Sequence, residues 1–95
     1  MGYNIAYTAF AERDIWEIAA YLSDHSEEAT KNYLISLRKS IEHLADMPNM
    51  YPKIDQYKEY RKMVVGDYVV TYVVNDALKQ VTILRVVHGK RSYLS

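Results

Sequence analysis

Tyr60-Arg-Lys-Met-Val-Val-Gly-Asp-Tyr-Val-Val-Thr-Tyr-Val-Val74 is the stretch on which the fold turns. Two runs rich in β-branched and aromatic residues, 60–65 and 68–74, flank Gly66-Asp67. A two-residue link with glycine first suits a primed hairpin turn. That turn sets a register in which Val65 faces Tyr68, Met63 faces Val70 and Arg61 faces Tyr72. The doubled valines Val69-Val70 and Val73-Val74 place apolar side chains on both faces, so both are at least partly covered. Asn75-Asp76 opens the next turn, and residues 80–87 read as a further strand. Its register stays open: a four-residue loop puts Arg85 on the face of Arg61, and a five-residue loop puts His88 there.

Upstream, Tyr3, Ile5 and Tyr7 alternate with Asn4, Ala6 and Thr8, the period of a short strand. Thr8 can cap the following helix, with Glu12 and Asp14 near the positive end of its dipole. Ala11, Ile15, Ile18, Ala19 and Leu22 form one apolar stripe, with Trp16 at its border. Ser23-Asp-His-Ser26 interrupts the pattern. Ser26 is a second N-cap, followed by Glu27 and Glu28. Leu34, Leu37, Ile41 and Leu44 then mark a second amphipathic helix, with Tyr33 at its edge, ending near Met47 because Pro48 forbids continuation. The short link makes the helices an antiparallel hairpin. Residues 47–52 read as a loop and 53–59 stay largely polar. No repeat, linker or low-complexity segment breaks the chain, so residues 1–95 are expected to form a single domain of order β-α-α-β-β-β.

Ninety-five residues, 49% of them hydrophobic and 25% charged, fit one soluble domain and argue against disorder. There is no cysteine, which excludes disulfides and thiolate metal sites. No signal peptide and no membrane-spanning run are visible, so the expected location is the cytoplasm. The net charge of zero conceals an asymmetry. Residues 1–50 carry four Lys/Arg against eight Asp/Glu, a net −4, whereas 51–95 carry eight against four, a net +4. A basic half hints at an acidic partner, although solvated helix faces alone also gather acid. Ten of the twelve aromatic residues are tyrosines, side chains suited to partly wet surfaces.

Chemistry-bearing residues gather at the end of the last strand, where Arg85, His88, Arg91 and Tyr93 lie within nine positions. His88 is the natural proton carrier near neutrality. Arg61, Arg85 and Arg91 can hold a phosphate and neutralise charge developing during cleavage, and Tyr93 can hydrogen-bond or stack on a base. Together these make a metal-free ribonuclease site. The plainer account has Arg85 pairing a carboxylate and His88-Gly89 merely ending the strand. Lys53, Lys58, Lys62 and Lys90 can extend a surface for nucleic-acid backbone, or simply be solvated. His25, His43 and His88 have no close ligand spacing, so no metal is expected, and no glycine-rich phosphate loop calls for a cofactor.

Ile5-Ala-Tyr-Thr-Ala-Phe-Ala with Asp14-Ile-Trp-Glu-Ile, Ile41-Glu-His-Leu-Ala-Asp-Met-Pro, Tyr60-Arg-Lys-Met, Tyr68-Val-Val-Thr-Tyr and Ile83-Leu-Arg-Val-Val-His-Gly-Lys-Arg together resemble the RelE/ParE superfamily. Its members are the toxin halves of bacterial type II toxin–antitoxin modules, and the resemblance runs from about Tyr3 to Tyr93. It implies a small α+β domain with a helix hairpin packed on a twisted antiparallel sheet. It also implies a cognate antitoxin that wraps the toxin, for which Trp16 and Tyr33 are docking candidates, and a complex that represses its own operon. RelE-like members cleave mRNA on the ribosome, using basic strand residues and a C-terminal Tyr or His. By motif position the counterparts here are Arg61, Arg85, and His88 or Tyr93. Lys53, Lys58 and Lys62 correspond loosely to the lysine-rich patch of RelE. The ending Arg85-Val-Val-His-Gly-Lys-Arg91 equally resembles ParE members, which inhibit DNA gyrase and in which these residues need not be catalytic. The resemblance therefore leaves three activities open: a ribosome-dependent endonuclease, a non-catalytic gyrase inhibitor, and an inactive interaction module.

Overall fold

The Gly66-Asp67 turn forms as its residues require. Gly66 adopts φ 62°, the left-handed region that only glycine enters without strain, and the strands on either side pair in the expected register. The structure, a computed structural model, describes residues 2–55 and 59–92, the last two by their backbone alone. In chain order these form β1 (Asn4–Tyr7), α1 (Ala9–Ser23), α2 (Glu27–His43), β2 (Tyr60–Val65), β3 (Tyr68–Asn75), β4 (Gln80–His88) and a short α3 (Gly89–Ser92).

The four strands make one sheet in the order β1-β4-β3-β2. Strands β2, β3 and β4 form an antiparallel meander, but β1 lies parallel to β4, so the sheet is mixed rather than antiparallel throughout. A parallel neighbour needs a long crossover, and the helix hairpin with two intervening strands supplies it.

Both helices start at the capping residues their sequences offer. Thr8 Oγ1 accepts from Ala11 N at 3.0 Å, and Ser26 Oγ accepts from Ala29 N at 3.1 Å. The second helix closes at His43, short of Met47. Leu44, Ala45 and Asp46 each donate three residues back instead of four, and the freed Ala45 carbonyl accepts Tyr3 N at 2.7 Å. The start of the chain thus tethers the end of the second helix.

Helix faces and sheet meet in a core of Ala11, Ile18, Leu37, Ile41 and Leu44 against Met63, Val70, Tyr72, Val81, Ile83 and Val86. Tyr72 is fully buried, and its hydroxyl donates to the Pro48 carbonyl at 3.3 Å, an arrangement that lets a polar tip sit in the core. Burial raises the pKa of this hydroxyl, and the neighbouring Arg61 pulls it partly back. Trp16 covers no border of the core. It is 77% exposed, because its position on the helix turns it away from the buried Ala11, Asp14 and Ile18. Among the described residues no helix is long and apolar enough to cross a membrane.

The hairpin turn offers a direct test of this packing. A Cβ on Gly66 would come within 3.1 Å of the Tyr33 ring while forcing an L-residue into positive φ. Gly66→Ala is expected to cost about 1–2 kcal/mol from the backbone alone, read as a lower urea midpoint at unchanged slope.

Candidate functional site

The register of the last hairpin, which sequence parity leaves open, is decided by a β-bulge. The loop has four residues, since Asn75 pairs with Gln80. Pairing then shifts between Thr71 and Tyr72: Tyr72 faces Ile83, but Thr71 faces Arg85, leaving Leu84 as the extra residue. One slip exchanges the faces. His88, opposite Tyr68, joins the face of Arg61, and Arg85 falls in a row with Thr71 and Lys62.

The bulge sits where β4 loses its neighbour. β1 ends at Tyr7, opposite Ile83, while β4 continues to His88. Two side chains from the start of the first helix take over. Thr8 Oγ1 donates to the Leu84 carbonyl at 2.9 Å, and Asp14 Oδ2 accepts from Val86 N at 2.9 Å. Asp14 also receives Arg85 in a bidentate pair, Nε to Oδ2 at 2.7 Å and Nη2 to Oδ1 at 3.0 Å. These bonds raise the pKa of the Arg85 guanidinium against the opposing pull of burial. The guanidinium also lies 6.0 Å from the Phe10 ring centroid. Of the two accounts of Arg85 offered by its sequence, the carboxylate pair is the one that forms.

Arg85 and His88 do share a groove, of about 740 Å³, between the first helix and the open edge of β4. Its other charged lining residues are all acidic: Asp14, Glu17 and Asp67. His88 accepts Lys90 N at Nδ1 (3.2 Å), which leaves a neutral ring's proton on Nε2. Its ring stands edge-on to Tyr68 at 5.4 Å, and Tyr68 stacks at a tilt on Tyr33 at 5.6 Å.

Arg61 is elsewhere. It sits at the far end of β2, four residues before Val65, whose row holds Tyr68 and His88. At strand rise this separates Arg61 from His88 by about 13 Å along the sheet. Its guanidinium donates to the Tyr51 carbonyl at 2.5 Å and the Asn49 carbonyl at 3.5 Å, pinning the loop before β2. Lys53 is bridged to Arg61 by backbone pairing and holds Glu59 at 3.0 Å. Lys62 is half-buried in the sheet and Lys90 is exposed on the third helix. Lys58, Tyr93 and the side chain of Arg91 lie outside the described residues. Among the described residues no group of three His, Asp or Glu side chains converges into a metal site.

The two docking candidates differ. Trp16 borders a shallow, mainly apolar groove of about 380 Å³ with Tyr7, Ile15, Ala19 and Leu34. Tyr33 is half-buried against the hairpin and donates to the Val65 carbonyl at 2.7 Å, a contact internal to the fold. Burial, reinforced by Tyr68 and Asp67, pushes its hydroxyl well above the ordinary 10.0. Asp14 was legible in sequence only as a helix-dipole partner. The missed signal is its spacing, since Ala11, Asp14 and Ile18 fall on one stripe, and an acid there needs a buried partner.

The sequence profile for the ParE toxin of the type II toxin–antitoxin system parDE matches residues 5–93. The chain belongs to the ParE toxin family. No curated protein matches it in sequence. Among solved structures, a chain of the chromosomal ParDE system of P. aeruginosa superposes with a TM-score of 0.75 at 16% identity, covering 90% of this chain and 95% of that one. A double mutant of E. coli toxin RelE in the free state gives 0.71 at 15% identity, with coverages of 99% and 90%. A chain of the intact E. coli RelBE toxin–antitoxin complex gives 0.67 at 16%, covering 94% and 99%. At these identities the structures share the fold, and the matching ParE profile gives the family: this ParE-family chain is a type II toxin with the RelE/ParE fold.

Two consequences can be measured on the ParE-family toxin itself. Asp14→Ala leaves Val86 N–H without its acceptor and is expected to cost about 1–3 kcal/mol in urea unfolding. The second concerns alkaline pH. The fold retains the Tyr33 proton that the unfolded chain gives up near 10, so its contribution is complete below about pH 10 and lost as pH rises above it. Tyr33→Phe is therefore expected to unfold with a shallower pH dependence between 9 and 11 than the wild type.

Proposed function

We propose that this toxin arrests growth as a non-catalytic inhibitor of DNA gyrase, held in check by a cognate antitoxin. The observation that carries the reading is the state of Arg85. Its guanidinium is committed to Asp14, inside a groove whose remaining charged walls include Glu17 and Asp67. A phosphodiester entering there meets three carboxylates for one arginine, the reverse of what stabilising a cleavage transition state demands. Of the other described candidates His88 shares the groove, but Arg61 does not reach it, since it binds loop carbonyls about 13 Å from His88 along the strands. Family membership points the same way, ParE members being gyrase inhibitors in the resemblance already drawn.

The antitoxin reading rests on family and surface. Solved chains of this fold occur in complexes named as toxin–antitoxin pairs, RelBE and DinJ-YafQ among them. The apolar groove beside Trp16 offers an exposed aromatic anchor of the kind that dominates protein interfaces.

Purified toxin added to gyrase and relaxed plasmid is expected to block supercoiling, while RNA ends mapped after induction in cells stay intact. His88→Ala is expected to remain toxic. Transcripts cut at codons, with supercoiling unaffected, would replace this reading by the RelE-like endonuclease.

A further inference from the structure

β1 is an edge strand, the outermost in the order β1-β4-β3-β2. Its inner side is occupied. Asn4 N donates to Lys79 O at 2.8 Å and Thr8 N to Ile83 O at 3.0 Å, the alternate-residue pattern of a parallel pair. By that alternation Asn4, Ala6 and Thr8 turn their backbone groups to β4, whereas Ile5 and Tyr7 turn theirs outward. Among the described residues nothing pairs with these two N–H and two C=O groups. Such an edge is a template for another extended chain.

The strand runs out at the apolar groove. Tyr7, the last residue of β1, is one wall, and Ile15, Trp16, Ala19 and Leu34 supply most of the rest. Tyr7 shares its side of the sheet with Tyr3 and Ile5, which pack on the core. A strand added beside β1 sends alternate side chains to this same side, so one of them meets the groove. The charge at the groove says what else the segment carries. Arg38 and Glu42, whose fields both reach the Tyr7 hydroxyl, hold each other at 3.1 Å. Glu12 is the charged residue of the groove wall, and it has no ion pair among the described residues. A carboxylate beside apolar walls fits a lysine or arginine whose stem lies along them.

We infer that the antitoxin is held by strand addition: an extended segment of it pairs with Ile5 and Tyr7, seats an apolar side chain against Trp16, and sets a lysine or arginine beside Glu12. The inference rests on the antitoxin reading above and adds the conformation and chemistry of the bound segment. A helix laid in the groove would bury Trp16 equally well but leave the outward groups of β1 unpaired.

The test is amide hydrogen exchange on the toxin alone and bound to the protein encoded by the adjoining reading frame. Ile5 and Tyr7 amides are expected to exchange freely in the toxin alone and to slow at least tenfold in the complex. The Ala6 amide, already paired with β4, is expected to be protected in both. Trp16→Ala is expected to weaken binding at least tenfold and Glu12→Lys severalfold, with urea midpoints recorded for each. Should lysine lower the midpoint by opposing the helix dipole, Glu12→Gln removes the charge alone and is expected to weaken binding by a smaller factor. Binding that leaves Ile5 and Tyr7 exchanging freely, or that Trp16→Ala or both Glu12 variants leave at full strength, overturns this inference and leaves the antitoxin reading standing. An adjoining protein that neither binds the toxin nor restores growth overturns both. Ile5 and Tyr7 amides already protected in the toxin alone also overturn it, by giving the edge to a second copy of the chain.

Discussion

The structure depends on how the last strand is finished where its neighbour stops. β4 runs from Gln80 to His88, but β1 accompanies it only as far as Ile83. Backbone groups left bare at a partly buried edge carry a desolvation cost, and they must find partners. The turn from β1 into the first helix provides them within seven residues. Thr8 caps the helix with its oxygen and donates its proton to Leu84, and Asp14 receives both Val86 N–H and Arg85. A strand edge treated in this way is also closed to casual pairing with other chains, because an inward carboxylate occupies it.

Much of this was readable beforehand, and the exceptions have physical causes. The β2–β3 register followed from Gly66-Asp67, because a two-residue turn leaves the strands no freedom to slide. Both helices began at the Thr8 and Ser26 caps. The bulge was not legible, since Leu84 looks like any strand residue. What extrudes it is a contact with Thr8, 76 positions away in sequence. The parallel placement of β1 likewise depends on where the helix hairpin delivers the chain, a tertiary property without a local signal. Trp16 departs from the border position its hydrophobicity suggests because its helical phase opposes the stripe of Ala11, Asp14 and Ile18.

The abundance of tyrosine acquires a structural meaning here. Tyr33 and Tyr72 each place a ring against the core and send a hydroxyl to a backbone carbonyl, Val65 O and Pro48 O. Tyr3 does the same with a side chain, reaching Asp76 at 2.7 Å across the loop after β3. A small domain with little interior volume gains from residues that pack and tie a loop at once.

The same economy bears on function. Residues that look catalytic in a list have structural employment in space: Arg61 fastens the loop before β2, Arg85 neutralises the carboxylate at the strand edge, and His88 accepts the Lys90 N–H of the closing helix turn. A catalytic cation must be able to exchange its ground-state partner for developing charge. Each of these would have to release a partner that the fold needs, and the groove around Arg85 would still hold Glu17 and Asp67. A binding protein faces no such conflict. It can leave its charged side chains holding the sheet and its loops together, as Arg61 and Arg85 do here.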